Sequence, residues 1–274
     1  MVQIDLKVLQ NIELDIFKEF KRVCEKNDLK YVLNSGTCIG AIRHKGFIPW
    51  DDDIDIAMPR DDYEKLVKIA PQELSSDYFF QNYHSEKNCG LVFGKIRKNN
   101  TIMSENYSYH LNMHQGVWID IFPYDKLPDN LNERKKNFKK FFILKNLYII
   151  KCGYKVPEDK DNLLNRIIYY IAKFLLLFVP IDFIINKIDY TMRKYNQTDV
   201  KEVYLYGCLS MKNNIPCDML DDLIEVDFET EKAKVFKNYD YYLRRVYGNY
   251  MELPPIENRI NGSVHFLHEF KEKI

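Results

Sequence analysis

Residues 53–58 read Asp-Ile-Asp-Ile-Ala-Met, two acids set one residue apart inside an apolar run. In an extended chain, successive side chains point to opposite faces. Asp53 and Asp55 therefore share one face, and Ile54 and Ile56 share the other. The isoleucines can enter a core only if the two carboxylates are held side by side. Like charges that close repel, and the arrangement is costly unless a cation neutralises it. An all-oxygen ligand set suits Mg2+ or Mn2+. Asp51 joins this face only if the strand begins early. Pro49 and Trp50 place Asp51 and Asp52 in the entering loop.

A second apolar run, Val117 to Phe122, carries a lone acid, Asp120. A carboxylate in such a run needs a reason. If this strand pairs beside the first, Asp120 completes a three-carboxylate cluster. Such a cluster can hold one metal, or two about 3.5–4 Å apart that clamp both oxygens of an in-line displacement. An acidic run alone is as often a solvated loop. The turn Ser35-Gly36-Thr37, the alternating pair and the second acid in a strand together point to a site.

The rest of the chain reads as α+β. Apolar residues recur at helical spacing over 5–23, and a short strand follows at 31–33. A turn at 34–37 and a short helix at 37–44 precede the acidic strand. Residues 60–70 suit a helix, and 78–83, 91–97 and 117–122 suit strands. Pro123 and Pro128 are expected to bracket a turn. Beyond residue 131 the pattern becomes long helices, at 133–151, at 162–195 with a break at Pro180, and at 239–247. The expected organisation is a catalytic part over 1–130 and a mostly helical part over 131–274.

Composition narrows the function classes. The 274 residues hold 40 basic and 40 acidic side chains, and this balance argues against a nucleic-acid binder. Six cysteines lack any CxxC pair, as in reduced thiols of a cytoplasmic protein. The first fifteen residues lack a basic segment followed by an apolar run, so no signal peptide is expected. Residues 134–155 are rich in Lys and Phe, and 174–181 read FLLLFVPI. That apolar run is far short of the roughly 20 residues of a spanning helix. Two readings stand: peripheral contact with an anionic membrane at its inner face, or a buried helical layer with a solvated basic face.

The stretch SGTCIGAIRHKGFIPWDDDIDIAMPRDDYEKL, 35–66, resembles the signature of the LicD family of phosphocholine transferases, which the fukutin-related proteins share. GVWIDIFPYDKLP at 116–128 and YDYYLRRVYGNYMELPP at 239–255, followed by Arg259, are similar to further family segments. Residues 131–200 carry no such motif. The resemblance implies a nucleotidyltransferase-like mixed sheet with flanking helices. In that fold a Gly-Ser-type turn precedes a D-x-D strand, with a third Asp on a neighbouring strand. Ser35-Gly36-Thr37, Asp53-Ile54-Asp55 and Asp120 take those places here, with Ser-Gly-Thr in the turn.

The implied activity is Mg2+- or Mn2+-dependent transfer of phosphocholine from CDP-choline to a sugar hydroxyl of a surface glycan, releasing CMP. The acceptor would be a teichoic acid or lipopolysaccharide, lipid-linked in one form. Related donors carry ethanolamine, glycerol or ribitol. A nucleotidyltransferase releasing pyrophosphate and a non-catalytic scaffold of the same fold are the alternatives. In the favoured reading Asp53, Asp55 and Asp120 hold the metal, and Asp120 can instead take the acceptor proton. Ser35, Gly36 and Thr37 approach the phosphates. Arg43, His44, Lys45 and Lys95 are candidates to neutralise them, with Arg97 beside Lys95. Trp50 is a candidate to stack on the base or choline, or is a core anchor. Tyr241, Tyr242, Tyr247 and Tyr250 either cage choline or pack a terminal helix. His110 and His114 suit a loop role better than metal ligation.

Overall fold

The computed structural model describes residues 5–154, 163–207, 213–259 and 267–272. Lys155 and Cys208 lie outside the described residues. Asp5 caps the first helix, α1 (Leu6–Lys26), accepting from the Lys7 and Val8 amides at 3.0 and 3.3 Å. The buried stripe of α1 includes Leu9, Ile16, Phe17, Phe20 and Val23, as its spacing requires.

After α1 come β1 (Val32–Leu33) and α2 (Ser35–Ile39), which continues as a π-helical turn, Gly40–His44. This segment folds back tightly. A Cβ on Gly40 would lie 2.5 Å from the Gly46 carbonyl oxygen, so only glycine fits. The expected turn and helix thus merge into one helical segment starting at Ser35.

Next are β2 (Asp55–Pro59), α3 (Arg60–Glu73), β3 (Tyr78–Gln81), β4 (Gly94–Lys98), β5 (Ile102–Glu105) and β6 (Trp118–Leu127). The helical part holds α4 (Leu131–Cys152), α5 (Leu163–Leu176) and α6 (Ile181–Arg193), with Pro180 between the last two as expected. It also carries β7 (Glu202–Leu205), β8 (Ile215–Pro216), β9 (Leu223–Phe228), β10 (Glu231–Phe236), α7 (Tyr239–Tyr247) and β11 (Leu267–Lys271).

The main sheet runs β1-β2-β6-β4-β3, and β7 and β8 extend it from β6. Only β2 and β6 are parallel within it, so the sheet is mixed. β9 pairs with β10, and β11 with β5. Ile54, Ile56, Ile119 and Ile121 enter the main core with Phe17 and Phe20. A second core lies under the helices, around Phe138, Phe141, Tyr148, Ile188 and Tyr206.

The structure also corrects the expectation at Pro123. Pro123 does not start a turn; β6 runs through it to Leu127. Pairing with β4 ends at Ile121 and pairing with β7 begins at Tyr124. Pro123 therefore falls where β6 changes partner on that side, and its missing N–H does not break a ladder.

Beyond that point Asp125, fully buried, pairs with Arg60 at the start of α3. Arg60 Nε donates to Asp125 Oδ1 at 2.8 Å, and a second bond joins Nη2 to Oδ2. Asn196 Nδ2 donates to the same carboxylate at 2.7 Å. A buried charge held by a bidentate partner and a third donor is satisfied, and it ties α3, β6 and the end of α6 together.

Candidate active site

The parallel pairing of β2 with β6 sets Asp55 directly beside Asp120. The antiparallel pairing of β6 with β4 sets Asp120 beside Lys95. Lys95, Asp120 and Asp55 thus form one row across three adjacent strands. Asp125 is five residues beyond Asp120, an odd step, and so belongs to the opposite face. The row lies towards one end of the strands, where the segment carrying Asp51, Asp52 and Asp53 enters β2.

Lys95 Nζ stands 2.8 Å from Asp120 Oδ1, and the ammonium lies 3.9 Å from the centre of the Trp118 ring. Lys95 is buried. Its charge is spent within the site, opposite one of the acids. Arg97, also buried, donates to Gln81 Oε1 and to the Gly116 carbonyl, so it is a structural cation.

The segment before β2 brings in more acid. Carboxylate oxygens of Asp51, Asp52 and Asp53 lie within 4.8 Å of one another. Asp51 reaches the turn: a Cβ on Gly36 would meet its Oδ2 at 3.0 Å. Gly36 thus gives room to an acid that the spacing alone had left in the loop. Helix α1 closes the cluster from another side. Gln10 Nε2 donates to the Asp51 carbonyl at 2.9 Å. Glu13 is buried, and among the described residues its Oε2 has no hydrogen-bond partner.

The crowding shows in the proton affinities. Burial first, and then Asp120 and Asp51, push the Asp55 carboxyl up to about 8, against the pull of the Ser35 hydroxyl and Lys95. Burial and Asp52 push Asp51 up to about 7. Asp53 is raised well above the usual range by burial, then by Asp55, Asp51, Glu13 and Asp120. Glu13 is raised by burial, then by Asp52, Asp51, Asp120 and Asp55. Each of these four carboxyls is raised by burial and by at least one other acid of the cluster. An all-oxygen donor set, with an orphaned buried Glu13 oxygen beside it, fits a hard divalent cation.

The Ser-Gly-Thr turn is clamped to the acid strand. The Asp55 amide donates to Thr37 Oγ1 at 2.8 Å, and the Ser35 hydroxyl hydrogen-bonds the Asp55 carboxylate. Ser35 is held in the left-handed region at φ 49°, a strained setting for a residue with a Cβ. Tyr242 of α7 fixes it there. Its hydroxyl accepts from the Ser35 amide at 3.1 Å and donates to Asn34 Oδ1 at 2.6 Å. Tyr242 is fully buried and meets Phe236 edge-on. The four tyrosines considered for a choline cage divide: Tyr242 and Tyr250 are buried, while Tyr241 and Tyr247 are exposed.

The basic candidates also divide. Arg43 donates to the Tyr250 and Glu252 carbonyls at 2.5 and 3.2 Å and to His44 Nε2 at 2.9 Å. Burial and neighbouring Arg259 lower its proton affinity. Arg259 lies over the half-buried Trp50 ring at 5.4 Å, and His44 meets that ring edge-on. Arg43, His44, Trp50 and Arg259 therefore form one cationic and aromatic cluster. Lys45 is exposed, in a left-handed conformation, and its carbonyl accepts from the Glu229 amide at the β9–β10 turn. His114 is pushed down to about 4 by burial and Arg97, and it bonds Asn99 and the Gly116 amide. His110 meets the Gly153 carbonyl. Both histidines have loop roles.

Two outcomes follow from this geometry. Tyr242→Phe removes the acceptor of the Ser35 amide and leaves Asn34 Oδ1 with the longer bond from the Tyr124 hydroxyl at 3.4 Å. The variant should lose about 1–3 kcal/mol of stability in urea unfolding and should lose turnover more than a distant core variant of equal stability. The second concerns the acids. The folded chain holds protons on Asp51, Asp53, Asp55 and Glu13 that the unfolded chain has released above roughly pH 4. Metal-free stability therefore falls as pH rises from about 5 through the values near 7 and 8. In EDTA, Asp55→Asn should raise Tm at about pH 8, by about 2–4 °C for each kcal/mol of repulsion relieved. Added Mg2+ should raise the wild-type Tm more at high pH than at low pH.

The sequence pattern of the LicD/FKTN/FKRP nucleotidyltransferase domain matches residues 28–150, the span holding the turn, the acidic strand and Asp120. The chain is 30% identical over 268 residues to the lipopolysaccharide cholinephosphotransferase LicD of Haemophilus influenzae, covering 94% of this chain and 96% of that one. An uncharacterized protein of Rickettsia prowazekii is 28% identical over 60% of this chain and 57% of its own length. One of Rickettsia typhi is 29% identical over 47% of each. With a related sequence along nearly its whole length and the family's domain pattern over the acid cluster, the chain belongs to the LicD/FKTN/FKRP nucleotidyltransferase-domain family.

Proposed function

We propose that this chain transfers phosphocholine, or a closely related phospho-alcohol, from a CDP-alcohol to a sugar hydroxyl of a cell-surface glycan, releasing CMP. The observation that carries this reading is the Lys95–Asp120–Asp55 row, clamped to the Ser35 turn, in a chain related throughout to a lipopolysaccharide cholinephosphotransferase. Asp53, Asp55 and Asp120 would hold Mg2+ or Mn2+. When bound, the cation supplies neutralisation of the donor diphosphate and of the charge that develops on the leaving CMP.

The protein's own groups do the positioning. The Ser35 amide is taken by Tyr242, so the Gly36 and Thr37 amides of the turn would be the ones to approach the phosphates, beside the Asp51 carboxylate that Gly36 makes room for. Lys95 balances Asp120, so the row is not purely anionic before substrate arrives. The second Asp120 oxygen can ligate the cation or receive the acceptor hydroxyl's proton. Arg43, His44, Trp50 and Arg259 form a cluster suited to an anionic nucleotide, with Trp50 as a stacking surface. Residues 1–130 supply the catalytic core, and 131–274 complete the donor and acceptor site through Tyr242 and Arg259. The chemistry is positioning and electrostatics, which this reading places on the cytoplasmic side.

Incubation of the protein with CDP-choline, Mg2+ and a lipopolysaccharide or teichoic-acid acceptor tests this. CMP release with choline incorporated in the glycan is expected, abolished by EDTA and by Asp53→Ala. Pyrophosphate release from a nucleoside triphosphate, with no CMP from any CDP-alcohol, would instead establish a nucleotidyltransferase.

A further inference from the structure

Between Ile167 and Leu175, helix α5 presents most of its large apolar side chains to solvent. Phe178, just past its end, is 76% exposed and Phe174 is 60% exposed. Ile171, Leu177 and, on α6, Phe183 are also exposed. A surface helix of a water-soluble domain normally turns such a stripe inward. Scattered exposed leucines need no explanation, but a contiguous aromatic and aliphatic face marks an interaction surface.

Charge says what covers it. Helices α4, α5 and α6 carry eleven basic side chains against three acidic ones, in a chain whose total charge is zero. Two of the three acids are already engaged: Asp182 pairs with Lys87 at 2.7 Å, and Asp189 binds Arg193 and the Tyr83 hydroxyl. The basic groups border the apolar face. Lys140 of α4 lies over the exposed Tyr190 ring of α6, and Lys187 lies over Phe183. A shallow groove on α4 is lined by Lys136, Lys139, Lys140, Ile143 and Leu144. Apolar side chains flanked by lysines match the layering of an anionic bilayer, with acyl chains beneath phosphate.

Geometry decides between lying on the bilayer and crossing it. Among the described residues no single helix is long and apolar enough to span, and the two parts Ile167–Leu176 and Ile181–Arg193 meet at 106°. Each helix is about 20 Å long at 1.5 Å per residue, short of the roughly 30 Å hydrocarbon layer. α6 also keeps Ile184, Ile185, Ile188 and Met192 in the protein's own core. We propose that the α5–α6 corner is an interfacial wedge that seats this protein on an anionic phospholipid surface. This goes beyond the transfer reaction and does not depend on it.

Flotation of the full chain with phosphatidylcholine vesicles, with and without about 30% phosphatidylglycerol, tests the proposal. The protein should float with the anionic vesicles and far less with the neutral ones, and salt should weaken the binding. Phe174→Ser with Phe178→Ser should cut binding about tenfold or more. Lys136→Glu with Lys140→Glu should remove the preference for anionic lipid. Circular dichroism should show all variants folded, because each altered side chain lies at the surface. Transfer to a soluble sugar acceptor should be unchanged in the phenylalanine pair, so loss of flotation is separable from loss of the reaction. Wild-type protein that stays at the bottom of the gradient, or a phenylalanine pair that floats as well as wild type, would overturn the wedge. A wild-type dimer that the same pair converts to monomer, with no vesicle binding, would assign the face to a second copy instead.

Discussion

Repulsion among carboxylates is the constraint around which the rest of this fold is arranged. Parallel pairing of β2 and β6 forces Asp55 and Asp120 side by side, and neither can turn away without breaking the register that buries Ile54, Ile56, Ile119 and Ile121. Asp51, Asp52, Asp53 and Glu13 crowd the same place. Among the described residues the Lys95 ammonium, paired with Asp120, stands against this excess of acid. A domain selected for stability alone would not keep such a cluster. A site that must grip a cation and a diphosphate would.

The surrounding structure holds the cluster together from outside it. On the opposite face of the same strand, Arg60 and Asp125 form a satisfied buried ion pair that fixes α3 against β6. Thr37 and Ser35 bind Asp55, and Tyr242, from the far end of the chain, locks Ser35 and Asn34. The early motif and the C-terminal tyrosine-rich segment are therefore parts of one device. Arg43, reaching the Tyr250 and Glu252 carbonyls, joins the same two regions a second time.

Much of this was legible in the sequence because its signals are local. The alternation at 53–56 and the lone acid at 120 identify the strands and the acids, and the motif at 35–66 identifies the family. What escaped depends on distant pairing. Nothing local says that β2 and β6 are neighbours, so the Asp55–Asp120 register could only be a condition. Glu13 was hidden by its helix, though a signal existed: it is four residues after Leu9 and four before Phe17, an acid inside a buried stripe. Asp51 looked like loop because its contact with Gly36 is tertiary. Pro123 misled because the turn rule ignores a strand that changes partner. That the nearest charge to Lys95, a candidate phosphate ligand, is Asp120 follows from the β4–β6 register, which no local signal carries.

Crystals grown with Mn2+ and measured at its absorption edge test the metal centre most directly. An anomalous peak coordinated by oxygens of Asp53, Asp55 and Asp120 is expected, and it should vanish in Asp55→Asn. A fully loaded crystal with no peak there, or a cation held by Asp51 and Asp52 away from Asp55 and Asp120, would contradict the assignment.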